Sequence, residues 1–250
     1  MPQRIISLAP NLTEILYAIG LGNKIAAVSD YCDRPAGAAL KPKVGGISNP
    51  SLEKIISLKP DIVLLTTDGN PKDTNERLVR LGIRTYIFRA RRIGELPGEL
   101  RSMGNVLGAG KEAERLARRF ETLSRLKSKS PASTGRAVFV IQPEPLIVAA
   151  DGNAIQDALQ ILGWTNIAQD AGKKYVRFSV EELILRSPDV ILIGMGHPGM
   201  GEDSKDFLQR ISMLPAVKSG RVYYTSDALF RLGPRIIDGI EELSKILNRK

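Results

Sequence analysis

The sequence predicts an α/β protein with two similar Rossmann-like lobes, each built on a central parallel sheet and joined by a single long helix. The main observation is a duplication, since SLEKIISLKPDIVLL at 51–65 aligns without a gap with SVEELILRSPDVILI at 179–193. Each copy predicts a serine-capped amphipathic helix that stops at a Pro-Asp pair and leads into a buried strand. Two distant copies favour two lobes, because solenoids need three or more closely spaced repeats.

A regular alternation of strands and helices supports this fold. In the first half, strands are predicted in RIISLA, KIAAVS, DIVLLTT and RTYIFRA, and helices in NLTEILYAIG, SLEKIISL and NERLVRLG. In the second half, the strands are RAVFVI, DVILIG and RVYYTS, and the helices are AIQDALQILG, VEELILRS, DFLQRI and PRIIDGIEELSKIL. Gly20, Gly22 and Gly82 stand where helices are expected to end.

The two halves are separated by a helix-forming stretch that gives way to Ser, Pro, Thr and Gly around 129–135. We interpret Lys111 to Leu126 as one connecting helix; the alternative is a surface helix of a single domain. The predicted divisions are a first lobe at 1–104, a linker helix and polar segment at 105–133, and a second lobe at 134–250. A helical connector predicts small opening motions.

Composition restricts the function classes. No run of eighteen apolar residues occurs among the 250, which argues against a membrane-spanning helix. The net charge of +9 is spread along the chain and aromatic residues make up 5%, so a nucleic-acid partner is not expected. The single cysteine, Cys32, excludes an internal disulfide and is interpreted as a small buried residue. The chain enters its first strand without a leader, so it is either cytosolic or exported after removal of a leader.

The expected ligand site lies in the loops that follow the strands, because such loops line the binding crevice of parallel α/β sheets. We expect the loops of the two lobes to face each other across a cleft. In the first lobe they are 9–11, 29–34, 45–49, 66–70 and 89–92, and in the second 142–145, 171–177, 194–201 and 225–231.

Four segments in order resemble the class III periplasmic binding proteins, and among them the cobalamin (vitamin B12) binding component of an ABC importer. They are the amino-terminal RIISLAPNLTEILYAIGLGNKIAAVSDYCDRP, the two repeat copies, and TSDALFRLGPRIIDGIEEL. The resemblance implies two α/β lobes joined by one helix, with a large rigid ligand held between them and little closure. It also implies a binding protein rather than an enzyme.

The resemblance further implies a corrinoid ligand, with a ferric siderophore or haem as the alternative. It implies no cofactor, a permease dimer as partner, a monomeric state and a periplasmic or other extracytoplasmic location. One departure is that the loops GGISNP and TTDGNP lack the tryptophans of cobalamin-binding members. The only tryptophan, Trp164, is expected in a core or capping role.

The resemblance assigns ligand contacts to matching positions. The tyrosines are expected to stack on the corrin face, and Asp227 and Arg231 to hydrogen-bond its amide arms, although these two residues are also spaced to pair with each other. The predicted ligand-binding residues are Pro10, Asn11, Tyr31, Gly46, Ile47, Thr66, Asp68, Pro143, Tyr175, Asp227 and Arg231.

Glu53 and Glu181 occupy equivalent places in the two repeats, in the first turn of each predicted helix. The resemblance implies that such a pair, one glutamate in each lobe, docks onto arginines of the permease dimer. The alternative is that they stabilise helix amino ends, with Ser179 and Glu182 forming a capping box.

Two further features suggest other chemistry. GMGHPG at 194–199 matches G-x-G-x-x-G after a strand, so a Rossmann-type dinucleotide-binding enzyme is a second alternative; Pro198 and the lack of a suitably placed acidic residue argue against it. His197, the single histidine, excludes a multi-histidine metal centre. It remains a candidate axial ligand to haem iron or cobalt, against an ordinary surface residue.

Overall fold

The computed structural model describes residues 1–127, 135–196 and 200–248. The chain divides into two compact units, Met1–Glu121 and Thr122–Lys250. Helix α6 spans Gly110–Lys127, so a helix is present where one was expected, at 111–126. The division between the units falls inside this helix. Helix α5, Leu96–Leu107, ends three residues beyond the predicted end of the first lobe. The polar segment 128–134 lies outside the described residues.

Unit 1 contains a four-stranded parallel sheet in the order β2-β1-β3-β4. The strands follow the predicted apolar runs, and β3 is buried along its whole length. Its elements are β1 (Ile5–Ser7), α1 (Pro10–Ala18), β2 (Ile25–Val28), α2 (Ala36–Ala39), α3 (Leu52–Ser57), β3 (Ile62–Thr66), α4 (Lys72–Arg80), β4 (Thr85–Phe88), α5 (Leu96–Leu107) and the first part of α6.

Unit 2 contains a six-stranded sheet in the order β10-β9-β5-β6-β8, with β7 paired to β5. The short 3₁₀ helix Asp227–Phe230 follows its last strand. The other elements are β5 (Gly135–Gln142), β6 (Ile147–Ala149), α7 (Ala154–Ile161), β7 (Trp164–Asn166), β8 (Tyr175–Arg177), α8 (Val180–Arg186), β9 (Val190–Gly194), α9 (Met200–Arg210), α10 (Pro215–Lys218), β10 (Val222–Thr225) and α11 (Ile236–Leu247).

The second sheet has an antiparallel extension that the sequence analysis did not predict. Strands β10, β9 and β5 are parallel as expected, and β7, which was not predicted, pairs parallel with β5. Strand β6, in contrast, runs antiparallel to both β5 and β8. The reason is the short connection 143–146, since a parallel crossover needs a dozen residues or more. Trp164 begins β7 and is buried, with its ring against Gly135, so its expected core role is confirmed.

The duplication is visible in the backbone and in its hydrogen bonds. Lys59 and Ser187, which are equivalent in the two repeats, both have left-handed φ values, 46° and 38°. The aspartate of each Pro-Asp pair then binds the start of a neighbouring strand: Asp61 accepts the amides of Gln3 and Arg4 at 2.6 and 2.9 Å, and Asp189 accepts that of Arg136 at 2.7 Å. The repeated Pro-Asp therefore anchors the strand that lies beside it.

The repeat helices begin as predicted. Ser51 caps α3 by accepting the amide of Lys54 at 3.3 Å, and Ser179 caps α8 by accepting that of Glu182 at 3.1 Å. Each helix leads to a five-residue strand that is buried throughout. Among the described helices, none combines the length and the apolar character needed to cross a bilayer.

Candidate functional site

The predicted ligand residues of unit 1 lie near the carboxyl ends of its strands. Pro10 is buried as the first residue of α1, Asn11 is half-buried beside it, and Thr66 is the last residue of β3. Asp68 is exposed and donates its amide to the Thr66 hydroxyl at 3.1 Å. The edge of the sheet therefore gathers these residues as the parallel topology predicts.

Asn70 joins three of these loops with one side chain. Its Nδ2 donates to the carbonyls of Ile47 and Leu8 at 2.8 and 3.2 Å, and its Oδ1 accepts the amide of Thr66 at 2.8 Å. Position 70 falls within a predicted loop but is not among the predicted site residues. The chemistry of Asn70 could have identified it, because a side-chain amide in a loop after a strand can both donate and accept hydrogen bonds.

Tyr31 and Gly46 are brought together. The Tyr31 side chain is 62% exposed, and its Cε2 lies 3.7 Å from the position that a Cβ on Gly46 would take. A Cβ there would also meet Oδ1 of Asn49 at 2.2 Å, so a larger residue does not fit without movement. Gly46 therefore lies close to one edge of the ring, and most of Tyr31 stays exposed.

A buried polar cluster fixes the loop that carries Tyr31. The Cys32 sulfur lies 3.1 Å from the hydroxyls of both Thr13 and Ser29, and Thr13 donates to Ser7 at 2.8 Å. From outside the cluster, Lys43 donates to the Cys32 carbonyl at 2.8 Å. Cys32 is fully buried, which confirms its interpretation as a small packing residue.

In unit 2, Asp227 is the centre of a cluster of charges just after β10. Arg235 donates to it through two hydrogen bonds of 2.9 and 3.0 Å, and Arg231 approaches it at 3.4 Å. The pairing of Asp227 with Arg231 allowed by their spacing is therefore present, but the stronger partner, Arg235, was missed. All three side chains are largely buried, and paired arginine forks place several N–H donors at one site.

The first glycine of the G-x-G motif is explained by packing. A Cβ on Gly194 would lie 2.4 Å from the Phe230 ring and 2.7 Å from the Phe139 ring, and one on Gly196 would lie 3.4 Å from Phe230. The two phenylalanine rings meet edge to face with centroids 5.8 Å apart. The aromatic pair thus requires a glycine at 194, whereas a Cβ at 196 would make only an ordinary contact with Phe230.

Tyr175 lies in a strand rather than in the loop where the sequence analysis placed it. It begins the edge strand β8, where it is opposite Ala149, while Arg177 is opposite Ile147. Ile147 also pairs with Gln142, the last residue of β5. Arg177 therefore lies nearer than Tyr175 to the edge of the sheet at which β5 ends. Strand alternation puts Tyr175 and Arg177 on the same exposed face. Pro143 is buried in the turn that follows β5.

Glu53 and Glu181 are both exposed in the first turns of α3 and α8. Hydrogen bonds from its own backbone amide and from the Ser179 hydroxyl lower the pKa of Glu181. The expected capping box is only half formed, because the Glu182 carboxylate binds Arg186 at 3.0 Å instead of returning to Ser179. An arginine one turn later thus competes with the cap.

His197 lies outside the described residues, as do Pro198 and Gly199. Within residues 1–127, 135–196 and 200–248, no group of three or more His, Cys, Asp or Glu side chains is arranged to hold a metal ion.

The profile of the family described as periplasmic binding protein matches residues 5–229. The vitamin B12-binding protein of Vibrio parahaemolyticus is 30% identical over 244 residues, covering 96% of this chain and 88% of that protein. The vitamin B12-binding protein of Pectobacterium carotovorum is 28% identical, covering 97% of this chain and 87% of its own length.

Solved structures give the same result. The crystal structure of the periplasmic vitamin B12 binding protein of Vibrio cholerae matches with a TM-score of 0.82 at 28% identity, covering 98% of this chain and 96% of that chain. A periplasmic haem-binding protein from Pseudomonas aeruginosa has a TM-score of 0.86 at 24% identity, covering 100% and 95%, and shows the same fold. The chain therefore belongs to the periplasmic binding protein family.

Proposed function

We propose that this protein is the solute-binding component of an ABC importer, which captures cobalamin or a related corrinoid outside the cytoplasmic membrane and delivers it to a permease. The observation that carries the proposal is the similarity, over nearly the whole chain, to curated vitamin B12-binding proteins at 28 to 30% identity. It acts without catalysis or a resident cofactor, as a monomer, and the corrinoid is its cargo.

The side-chain chemistry of the candidate residues in each unit, taken separately, suits such a ligand. A corrin ring is a large, rigid plane with amide arms at its rim, so it gains from aromatic stacking and needs hydrogen-bond donors and acceptors. Tyr31 offers an exposed ring, and Arg231 with Asp227 offers polar groups. Asn70 and the Cys32 cluster hold their loops before any ligand arrives, which favours a rigid ligand by limiting the ordering needed on binding.

The exposed Glu53 and Glu181 are the proposed contacts to the permease. Carboxylates of this kind attract a cationic partner surface and set the register of the complex more than its affinity. The hydrogen bonds of Glu181 within its own helix turn are compatible with docking, since they keep the carboxylate ionised on the surface.

The test is a titration of the purified chain with cyanocobalamin, haemin and ferric siderophores, followed by calorimetry and the visible spectrum. Saturable one-to-one binding of the corrinoid alone supports the proposal. Binding of haemin or a ferric siderophore alone assigns the protein to the alternative within the same family, and binding of none of them rejects a role in this class of transport.

A further inference from the structure

Helix α8 exposes an aliphatic side chain beside its proposed docking glutamate. Leu185 is 85% exposed, whereas Leu183 on the same helix is fully buried in the core of unit 2. Leu185 follows Glu181 by four residues, and residues so spaced are neighbours on one helix face. The outward face of α8 therefore presents a carboxylate and an apolar side chain next to each other.

Unit 1 repeats the combination with a different shape. Glu53 on α3 lies in a shallow groove of about 780 Å³, together with Ile56 and with Leu81 at the end of α4, which are 43% and 55% exposed. Arg77 and Arg80 also line this groove. Each glutamate of the pair thus lies beside exposed aliphatic side chains. In unit 2 the neighbour is Leu185, and in unit 1 it is the groove that contains Ile56 and Leu81.

Single exposed apolar residues are common and carry no meaning alone. Here the position is informative, because Leu185 is equivalent in the repeat to Ser57, a polar residue suited to a solvated helix face. An apolar centre flanked by charge is typical of protein interfaces, in which the apolar part provides affinity and the charges provide orientation.

We infer that Leu185 and the Ile56–Leu81 groove are the apolar parts of two docking surfaces for the permease, each next to its glutamate. This inference rests on the proposed function and adds to it a second kind of contact. The occupant is the outward-facing surface of the permease, which supplies a cationic group to Glu181 and an apolar socket to Leu185. Two features favour this partner. Leu185 adjoins Glu181 on the same helix face, and the Glu181 carboxylate requires a cationic group opposite it.

The experiment compares Leu185→Ser with the wild-type chain for binding to the cognate permease dimer in lipid nanodiscs. We expect about tenfold weaker binding, expressed mainly as faster dissociation and unaffected by salt, because a buried aliphatic contact is lost. Glu181→Gln should instead slow association and reduce its salt dependence. Leu40→Ser is the matched control, since Leu40 is 87% exposed but lies at the end of α2.

The outcomes separate this inference from the proposed function. If Glu181→Gln weakens docking and Leu185→Ser does not, the apolar contact is refuted while the importer role stands. If the wild-type chain fails to bind the permease at all, the proposed function itself is refuted. If Leu185→Ser lowers binding to protein-free nanodiscs, or abolishes self-association in sedimentation, then a lipid surface or a second copy is the occupant and the inference is overturned.

Discussion

Asp227 and Arg235 form a two-point ion pair eight residues apart, with hydrogen bonds of 2.9 and 3.0 Å on one carboxylate. Asp227 belongs to the 3₁₀ helix after β10, and Arg235 immediately precedes α11. The pair therefore fixes the segment between them, which also carries Arg231 and Phe230.

Removal of Arg235 should destabilise unit 2. Arg235→Ala takes the two-point partner from a largely buried carboxylate, and we expect a loss of about 2 to 3 kcal/mol in the free energy of unfolding. Urea unfolding followed by circular dichroism measures it. The variant Arg235→Lys, which keeps a positive charge beside Asp227 but not the two-point contact, should lose less stability than Arg235→Ala. Wild-type stability of Arg235→Ala would show that the pair contributes nothing.

Asn70→Ala should affect both stability and ligand binding. It removes three hydrogen bonds that join the loops at Leu8, Ile47 and Thr66, so we expect a loss of about 2 to 3 kcal/mol and a ligand affinity at least about tenfold lower. Chemical unfolding and calorimetric titration with cyanocobalamin check the two effects. Asn23→Ala, at an exposed position, is the control and should change stability by less than about 0.5 kcal/mol. Equal behaviour of the two variants would contradict the role of Asn70.

Reversal of the paired glutamates should separate delivery from capture. The double variant Glu53→Lys with Glu181→Lys should abolish ligand-dependent transport, because like charges then face a cationic permease surface, while the dissociation constant for ligand stays unchanged. Uptake into permease-containing proteoliposomes is the measurement. Glu76→Lys with Glu241→Lys makes the same change in net charge at other exposed positions and should leave uptake intact. Persistent transport by the first variant would refute docking through these residues.

Glu114 should make unit 1 sensitive to acid. Hydrogen bonds from Arg101 and then Arg118 lower the pKa of Glu114 from 4.5 to about 2. A lowered pKa means that the ionised carboxylate stabilises the folded state, so this contribution is present above pH 4.5 and is lost as the pH falls towards 2. Glu114→Gln should therefore lose less stability than wild type over that interval, as measured by urea midpoints at successive pH values. Parallel curves would exclude Glu114 as a source of acid sensitivity.

Much of the fold was predictable because its signals are local. The capping serines, the Pro-Asp stops and the buried strands recur within fifteen residues of sequence, and the two copies support each other. The antiparallel extension of the second sheet was missed because β6 and β8 have three residues each, too few for alternation to be distinguished from a loop.

The candidate site was less predictable because its most connected side chains act over long sequence separations. Asn70 bonds to Leu8, 62 positions away, and no local pattern indicates that contact. Arg235 was missed because a spacing of eight residues does not suggest a pair on one helix face. The four-residue spacing between Asp227 and Arg231 does suggest such a pair. Tyr31 and Gly46, by contrast, were both selected, and the structure places them side by side.

Every residue of unit 1 precedes every residue of unit 2 along the chain, with the division inside α6. A single recombination event at this helix therefore transfers one complete sheet with all its loops. The crossover must fall after Glu121, because Arg101 binds both Glu114 and Glu121 and ties this part of α6 to α5. Chimeric genes joined there provide a route by which one lineage acquires a complete sheet of another, with the loops and side chains that it carries, in one step.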